Sequence, residues 1–449
     1  MWIKIKFEDI NEKTIILPNE LKKMLKPSSQ LVFGSRCSEI NVTYSEELSY
    51  SKNSSFENPA AVLLSNDLKE CLLIPDAGLY QAKIHKSIFL LGPVIAFLLD
   101  SDNHVYSPKH MEKYTDRFGI YNKVGGLIYA FCPDSIVWAE NKVYGLYFNI
   151  KTNTWKYGAF PLPDVIYRRD FHQAQRIINC LKKTTHGRLF NSYRFSKLEL
   201  FNILEQNRKL VKNLPVTKQV ESFGELKLFI NTHKKVILKP NNLSRGRGIY
   251  IIKKKHDIYI VNDYSSKEIA YIILEGDKEF LQFYNRHLEL HQDYLVQKYI
   301  ELAQIHDAPF DIRIVMQKKT KRKWIISGIE CRVAGRESLI TNISKGGYAM
   351  MLDSALFAAF RNKKNVSRLT KQIYKYCQNV CKCLDKTGEH YAELGIDIGI
   401  GPGQKIWLFE ANVFPSFKGF KQMDYDTYLN IRYTPLLYAS YLAGLSDNY

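Results

Sequence analysis

Two carboxylates and an amide near the C-terminus are the side chains best suited to chemistry. Ala392 to Phe420 reads A-E-L-G-I-D-I-G-I-G-P-G-Q-K-I-W-L-F-E-A-N-V-F-P-S-F-K-G-F. Two apolar runs flank a glycine-rich turn, Gly399 to Gly403, which predicts a β-hairpin or a pair of neighbouring strands. The first run carries Asp397; the second carries Glu410 and Asn412. Strand side chains alternate, so Glu410 and Asn412 share a face, and strand pairing brings Asp397 within reach of them. Carboxylates buried without partners are costly, and hard oxygen donors on rigid backbone suit Mg²⁺. The alternative is ordinary strand polarity, with Asp397 ending a strand in water and Glu410 paired to a surface lysine.

The second signal lies upstream. His233 to Lys253 reads H-K-K-V-I-L-K-P-N-N-L-S-R-G-R-G-I-Y-I-I-K. Two β-runs, Val236 to Leu238 and Ile249 to Ile252, are joined by a loop with Ser244, Gly246 and Gly248, which predicts a hairpin lid. Backbone N–H groups in such a loop can approach phosphate oxygens closely, and Lys239 at the strand end adds a cation. The pattern is not a Walker A loop, which needs Gly-Lys-Ser/Thr opening a helix. Ser196 followed by Glu199 predicts a helix start. Lys197 in its first turn opposes the helix dipole, which suggests another reason for its presence.

Between these signals lie the elements that must hold them. Tyr294 to Leu302 reads as a strand containing Gln297. Phe310 to Gln317 alternates, with Asp311 and Arg313 on one face, and Trp324 to Val333 is its expected antiparallel partner, ending near Arg332. Thr341 to Tyr348 is a polar loop. Val366 to Lys386 has apolar residues at helical spacing and a basic opposite face, as expected of a helix packed on a sheet.

The wider chain sets limits. Its 449 residues contain 64 Lys+Arg against 45 Asp+Glu, a formal net charge of +19, with a pI near 9.3. Such a surface favours anionic partners. No basic motif interleaved with aromatics stands out, so nucleic acid is an unlikely partner. The longest apolar run, Ser87 to Leu99, contains Gly92 and Pro93 and is shorter than the ~20 residues a membrane helix needs. The N-terminus lacks a secretory pattern. The eight cysteines are scattered, with no paired C-x-x-C units; reduced thiols in a cytoplasmic setting are expected.

The fold class expected is a multidomain α+β / α/β protein. Residues 1–85 form a β-rich, barrel-like module with a weak internal repeat, Ile15 to Leu25 against Val62 to Leu72. Residues 86–190 alternate strands and helices as an α/β domain, in which Ser87 to Leu99 reads as one buried strand. Residues 191–449 form the third domain.

The order of these motifs resembles the ATP-grasp superfamily over roughly residues 190–420. It is similar to the glutathione synthetase and ribosomal-protein glutamate ligase branch, whose D-x-R, Arg, N-x-x-x-G-G and E-x-N-x-x-P series corresponds to Asp311 to Arg313, Arg332, Asn342 to Gly347, and Glu410 to Pro415. With L-L-G-P-V-I-A at Leu90 to Ala96, the whole chain resembles the YheC/YheD family, described as endospore-coat-associated in spore-forming bacteria.

The resemblance implies an ATP-grasp fold behind an α/β pre-grasp domain, with a nucleotide lobe at about 215–300 and an Mg²⁺ lobe at about 301–449. It implies that Lys197 and Lys239 bind phosphates, Ser244, Gly246 and Gly248 form the lid, Gln297, Tyr299 and Ile300 face adenine, and Glu301 faces ribose. Asp397, Glu410 and Asn412 would hold Mg²⁺, Arg313 and Arg332 would neutralise the transferring phosphoryl group, and Asn342 and Lys345 would position acceptor or phosphate. The implied activity is an ATP- and Mg²⁺-dependent carboxylate–amine or carboxylate–thiol ligase acting through an acyl phosphate. The alternative is an ATP-binding scaffold of the spore coat with weak catalysis. Coat proteins or an anionic polymer are the further partners expected. One departure stands out: Ser416, followed by Phe417, replaces the glycine common after the final proline, and bulk there would reshape the acceptor pocket.

Overall fold

The computed structural model describes all residues except 49, 51–53, 77, 100–106, 170–173, 243–247, 265–268, 289–292, 321–322, 336–340, 342–345 and 446–449. Among the described residues the strands fall into four sheets.

The first is a closed barrel, ordered Trp2–Glu8, Ala60–Ser65, Thr14–Pro18, Arg36–Ser45, Ser28–Phe33, Ile88–Gly92 and Tyr80–His85. The weak repeat is visible in it. Thr14–Pro18 runs into a short 3₁₀ turn at Asn19–Leu21, and Ala60–Ser65 runs into a helix at Asn66–Leu72. These two strands pair antiparallel, Ile15 opposite Leu64, as two copies about a local dyad would.

The apolar run Ser87 to Leu99 is two strands, not one. Ile88–Gly92 closes the barrel beyond residue 85, and Val94–Leu98 starts the second sheet after the cis Gly92–Pro93 bond. Both strands are largely buried, so hydrophobicity alone did not reveal the break.

In the second sheet Leu127–Phe131, Val94–Leu98, Val165–Arg168 and Leu189–Phe190 run parallel in that order. Their carboxyl ends lie along one edge, the edge where α/β sheets take ligands. Arg168 and Arg169 stand at that edge. The hairpin Lys142–Asn149 with Thr154–Pro161 extends the sheet on its far side.

The third sheet is ordered Thr217–Gln219, Tyr294–Lys298, Lys235–Pro240, Tyr250–Lys255, Ile258–Asp263 and Ala270–Glu275. Helices Phe223–His233 and Gly276–His287 pack on it through Leu226, Ile230 and Phe280. The fourth is ordered Tyr348–Met350, Trp324–Val333, Ala308–Lys318, Glu393–Ile400 and Ile406–Asn412. One face buries Leu369, Ile373, Tyr376, Val380 and Leu384 of the helix Lys363–Asp385, which matches the spacing expected. The other face meets Phe417, Phe420 and the helix Tyr425–Leu442.

The second and fourth sheets are fastened together by buried polar contacts. Glu393, fully buried, accepts from Arg169 Nη1 and Tyr167 at 2.7 Å each, and from Gln317 at 2.7 Å. Asn191 Oδ1 accepts the backbone N–H of Ala392 and of Glu393, each at 3.1 Å. The strand carrying Asp397 is thereby anchored to the α/β sheet at its first residue.

Candidate active site

The register of the fourth sheet explains the site. Ala308–Lys318 lies between Trp324–Val333 and Glu393–Ile400, setting Asp311 opposite Arg332, Arg313 opposite Glu330, and Arg313 opposite Asp397. Asp397 in turn lies opposite Glu410, and Gly395 opposite Asn412. The in-register pairs are of opposite charge, and each closes. Arg313 grips Asp397 through both carboxylate oxygens, at 2.8 and 2.7 Å. Arg332 grips Asp311 at 2.7 and 2.6 Å and lies 3.2 Å from Asp397. Thr341 adds a hydroxyl donor to Asp311 at 2.5 Å. Bidentate guanidinium–carboxylate pairs are the strong kind. Burial pushes the Asp397 carboxyl up, but Arg313 and Arg332 outweigh it and hold the group below the usual carboxylate range.

Asp397 therefore reaches Glu410 as the hairpin required, yet its carboxylate faces the arginines. Arg313 and Arg332, expected to point at a phosphoryl group, are bound to Asp397 and Asp311. Glu330 was missed. It sits two residues before Arg332 on the same face, buried, with one carboxylate oxygen lacking a hydrogen-bond partner. Burial raises it to about 7, against Arg313 and Arg332. The signal available was its i, i+2 spacing from Arg332.

Between Asp397 and Ile398 the pairing slips, leaving Phe409 as the extra residue on the opposing strand. Bulges of this kind re-aim groups beside functional sites. Here the freed Phe409 carbonyl accepts from Lys239 Nζ at 3.4 Å. Gly395 is needed for a different reason: a Cβ there would stand 2.5 Å from the Cβ of Pro415, so the final proline of the E-x-N-x-x-P series packs directly on the Asp397 strand.

The two lysines converge on Glu410 from different elements. Lys239 ends its strand in a buried position, with Nζ 3.1 Å from Gln297 Oε1, and Gln297 donates to Thr217 at 2.7 Å. Burial lowers Lys239 to about 8; Glu410 raises it and Lys197 lowers it further. Lys197 opens the helix Lys197–Glu205, whose capping box is formed by Ser196 and Glu199. Its Nζ donates to the carbonyls of Pro240 at 3.0 Å and Asn241 at 3.3 Å, and lies 3.6 Å from Glu410 Oε1. Those oxygens are the reason a first-turn lysine is tolerated.

A cavity of about 260 Å³ joins these groups to the α/β sheet. Lys197, Glu410 and Asn412 line it together with Arg168, Gln175, Arg194, Asn241 and Asn242. Arg168 and Arg169 stood out in the sequence only as polar residues near a strand end. Gln175 and Arg194 carried no motif.

Other expected residues lie further out. Tyr299 N–H donates to Lys235 O at 3.1 Å, and Lys235 Nζ stands 3.9 Å over the Tyr299 ring. Glu301 is exposed and paired to Lys235 at 2.7 Å. Tyr299, Ile300 and Glu301 form the connector that leaves the third sheet and reaches the fourth, where Ala303 N–H meets Ile400 O at 2.7 Å. Gly248 has φ +68°, and a Cβ there would stand 2.8 Å from the Tyr294 hydroxyl, so the lid hairpin requires glycine at this point. Ser244, Gly246, Asn342 and Lys345 lie outside the described residues. At the departure from the family pattern, Ser416 is exposed and Phe417 packs with Val315, Phe420 and Ile431. Neither lines the cavity, so the expected bulk at the acceptor pocket is absent there.

Among the described residues no three His, Cys, Asp or Glu side chains converge as a complete metal cage. The hard-oxygen set Asp397, Glu410 and Asn412 fits the weaker demand of Mg²⁺, which takes one or two carboxylates and fills its other positions with phosphate and water.

The lid-bearing antiparallel sheet, the Asp/Arg ladder and the lysines meeting at Glu410 define an ATP-grasp fold. The chain belongs to the YheC/D-like ATP-grasp family, whose model matches residues 186–442. It is 26% identical over 435 residues to the endospore coat-associated protein YheD of Bacillus subtilis (strain 168), covering 92% of this chain and 89% of that one. Endospore coat-associated protein YheC of the same strain is 25% identical over 319 residues, 70% of this chain and 87% of its own. The ATP-grasp ligase PsnB complexed with minimal precursor is a structural neighbour with a TM-score of 0.41 and 11% identity, covering 74% of this chain and 93% of that chain.

Proposed function

We propose that the protein is an ATP- and Mg²⁺-dependent ligase that joins a carboxylate to an amine or thiol through an acyl phosphate. The observation that carries this reading is the convergence of Lys197 and Lys239 on Glu410, beside Asn412, at the mouth of one cavity. The two lysines bind the phosphates, and Gln297 with the Tyr299 to Glu301 connector flanks the base and ribose. Ser244, Gly246 and Gly248 cover the phosphates, and Asn342 and Lys345 position acceptor or phosphate. Glu410 and Asn412 offer the oxygens nearest the cavity to Mg²⁺, and Asp397 offers a third. The ion, when bound, neutralises charge on the β- and γ-phosphates.

A carboxylate oxygen of the acceptor attacks the γ-phosphorus, the bond to the β,γ-bridging oxygen breaks, and ADP leaves. The amine or thiol then attacks the acyl carbon, inorganic phosphate departs, and the nucleophile's proton passes to solvent. Two anions must approach in the first step, so fixed positive charge lowers the barrier. Arg313 and Arg332 are held rigid by Asp397 and Asp311, and that rigidity is preorganisation. The relatives' names extend the proposal to the spore coat, with the protein acting from the mother-cell cytoplasm on coat proteins or an anionic polymer. No described helix is long and apolar enough to cross a membrane.

Mg–ATP at millimolar concentration should raise the melting temperature, and Glu410→Ala with Asn412→Ala should abolish the Mg²⁺-dependent part of that shift. An unchanged shift in the variant refutes the ligand assignment. Screening carboxylate and amine pairs for ADP release tests the ligase activity. One observation favours the scaffold reading: both arginines are already saturated by aspartates, and a blank across broad substrate libraries would support it.

A further inference from the structure

The Glu410 cavity extends beyond what phosphoryl transfer needs, and its far wall belongs to the α/β domain. Arg168 stands at the carboxyl end of a parallel strand, only 3% exposed, with Nη1 donating to Ser192 O at 2.9 Å. Arg194 comes from the connector before the Lys197 helix, with Nη2 3.4 Å from Asn242 O. Gln175, the first residue of the helix Gln175–Thr184, adds an amide to the same wall. Three cations from three separate segments thus face one small space, and the buried one is set by packing.

The two acids lining the space have other duties. Glu199 accepts from Ser196 N–H and from the Tyr193 hydroxyl, both at 2.6 Å, as part of the helix cap. Glu410 lies beside Lys197 at the opposite wall. At about 260 Å³ the cavity is just below the ~300–1,000 Å³ of pockets for drug-sized ligands, so it suits a small acid. Guanidinium groups favour bidentate binding of carboxylate or phosphate.

We propose that Arg168 and Arg194 form a subsite for a second anionic group on the acceptor, so that the substrate class is a small acid with two anionic groups. One carboxylate meets the γ-phosphoryl group beside Glu410 and Asn412; the other anion is held at the α/β wall. This rests on the ligase reading. The first carboxylate loses its charge when it is phosphorylated, whereas the second keeps its own and tethers the acyl phosphate until the nucleophile attacks.

The test uses the full chain, with and without saturating Mg–ADP, titrated calorimetrically with glutarate, 3-phosphonopropionate and butyrate. The first two carry two anionic groups, butyrate one. At least one of the dianions should bind tenfold or more tighter than butyrate. Arg194→Gln, partly exposed and easily tolerated, should erase most of that preference while leaving Mg–ADP affinity unchanged. Arg168→Met should do the same, its intact fold checked by its Mg–ADP affinity. Equal binding of dianions and butyrate, or an undiminished preference in Arg194→Gln, overturns the subsite even if Mg–ADP binds. Failure of Mg–ADP to bind while the dianion preference and its loss in Arg194→Gln persist removes the ligase reading and leaves the anion subsite standing.

Discussion

Raising the pH from 7 to 9 should weaken nucleotide binding about tenfold, and Lys239 is the reason. Its ammonium is buried 3.1 Å from Gln297 Oε1, with Lys197 close enough to repel it, and its pKa falls from 10.5 to about 8. Without nucleotide, Lys239 is then mostly charged at pH 7 and mostly neutral at pH 9. A phosphate oxygen favours the charged form and returns the pKa towards its ordinary value. Binding above pH 8 must therefore take up a proton, and affinity falls as pH rises through the nucleotide-free value. If only the charged form binds, the protonated fraction drops about tenfold between pH 7 and 9, or ~1.4 kcal/mol. Calorimetric titration with Mg–ADP at half-unit intervals, in two buffers of different ionisation enthalpy, reads both the affinity and the proton uptake. Lys239→Arg keeps the charge at every pH and should flatten the profile. A flat wild-type profile, or the same slope in Lys239→Arg, would refute the argument that burial of this lysine controls binding.

Gly395→Ala places a methyl group against Pro415 and should destabilise the protein by about 1–3 kcal/mol in urea unfolding, as overpacking does, while weakening the Mg²⁺-dependent shift. Glu393→Ala leaves Arg169 buried without its acid and removes an acceptor from Tyr167 and Gln317; a loss of about 3–5 kcal/mol is expected, read as a fall in the denaturation midpoint. Glu330 has a pKa raised from 4.5 to about 7, so wild type loses stability as pH rises from 4.5 through 7. Glu330→Gln removes that dependence, and its stability relative to wild type should rise between pH 5 and pH 8 by up to ~3 kcal/mol. A pH-independent difference would show that burial is not what controls Glu330.

The alternation of polar and apolar residues in the chain determined much of the core. Phe310 to Gln317, Trp324 to Val333 and the Gly399 to Gly403 hairpin form antiparallel neighbours because a period of two with turn residues between leaves few other pairings. Ser196 and Glu199 cap a helix where their spacing said they would, since capping is a contact within one turn. Motif order was enough to assign the family and to name Lys197, Lys239, Glu410 and Asn412 as one site.

Tertiary structure decided what those residues touch. Asp397 answers to Arg313 and Arg332 because three strands lie in one register, and register between strands distant in sequence leaves no local trace. The break at Gly92–Pro93 was hidden because both halves of the run are buried, one in the barrel and one in the sheet. Arg168, Gln175 and Arg194 join the site only because the carboxyl edge of the α/β sheet is bolted to Glu393, more than 200 residues further along the chain. A contact across that separation depends on how two sheets dock, and no spacing within either segment encodes it.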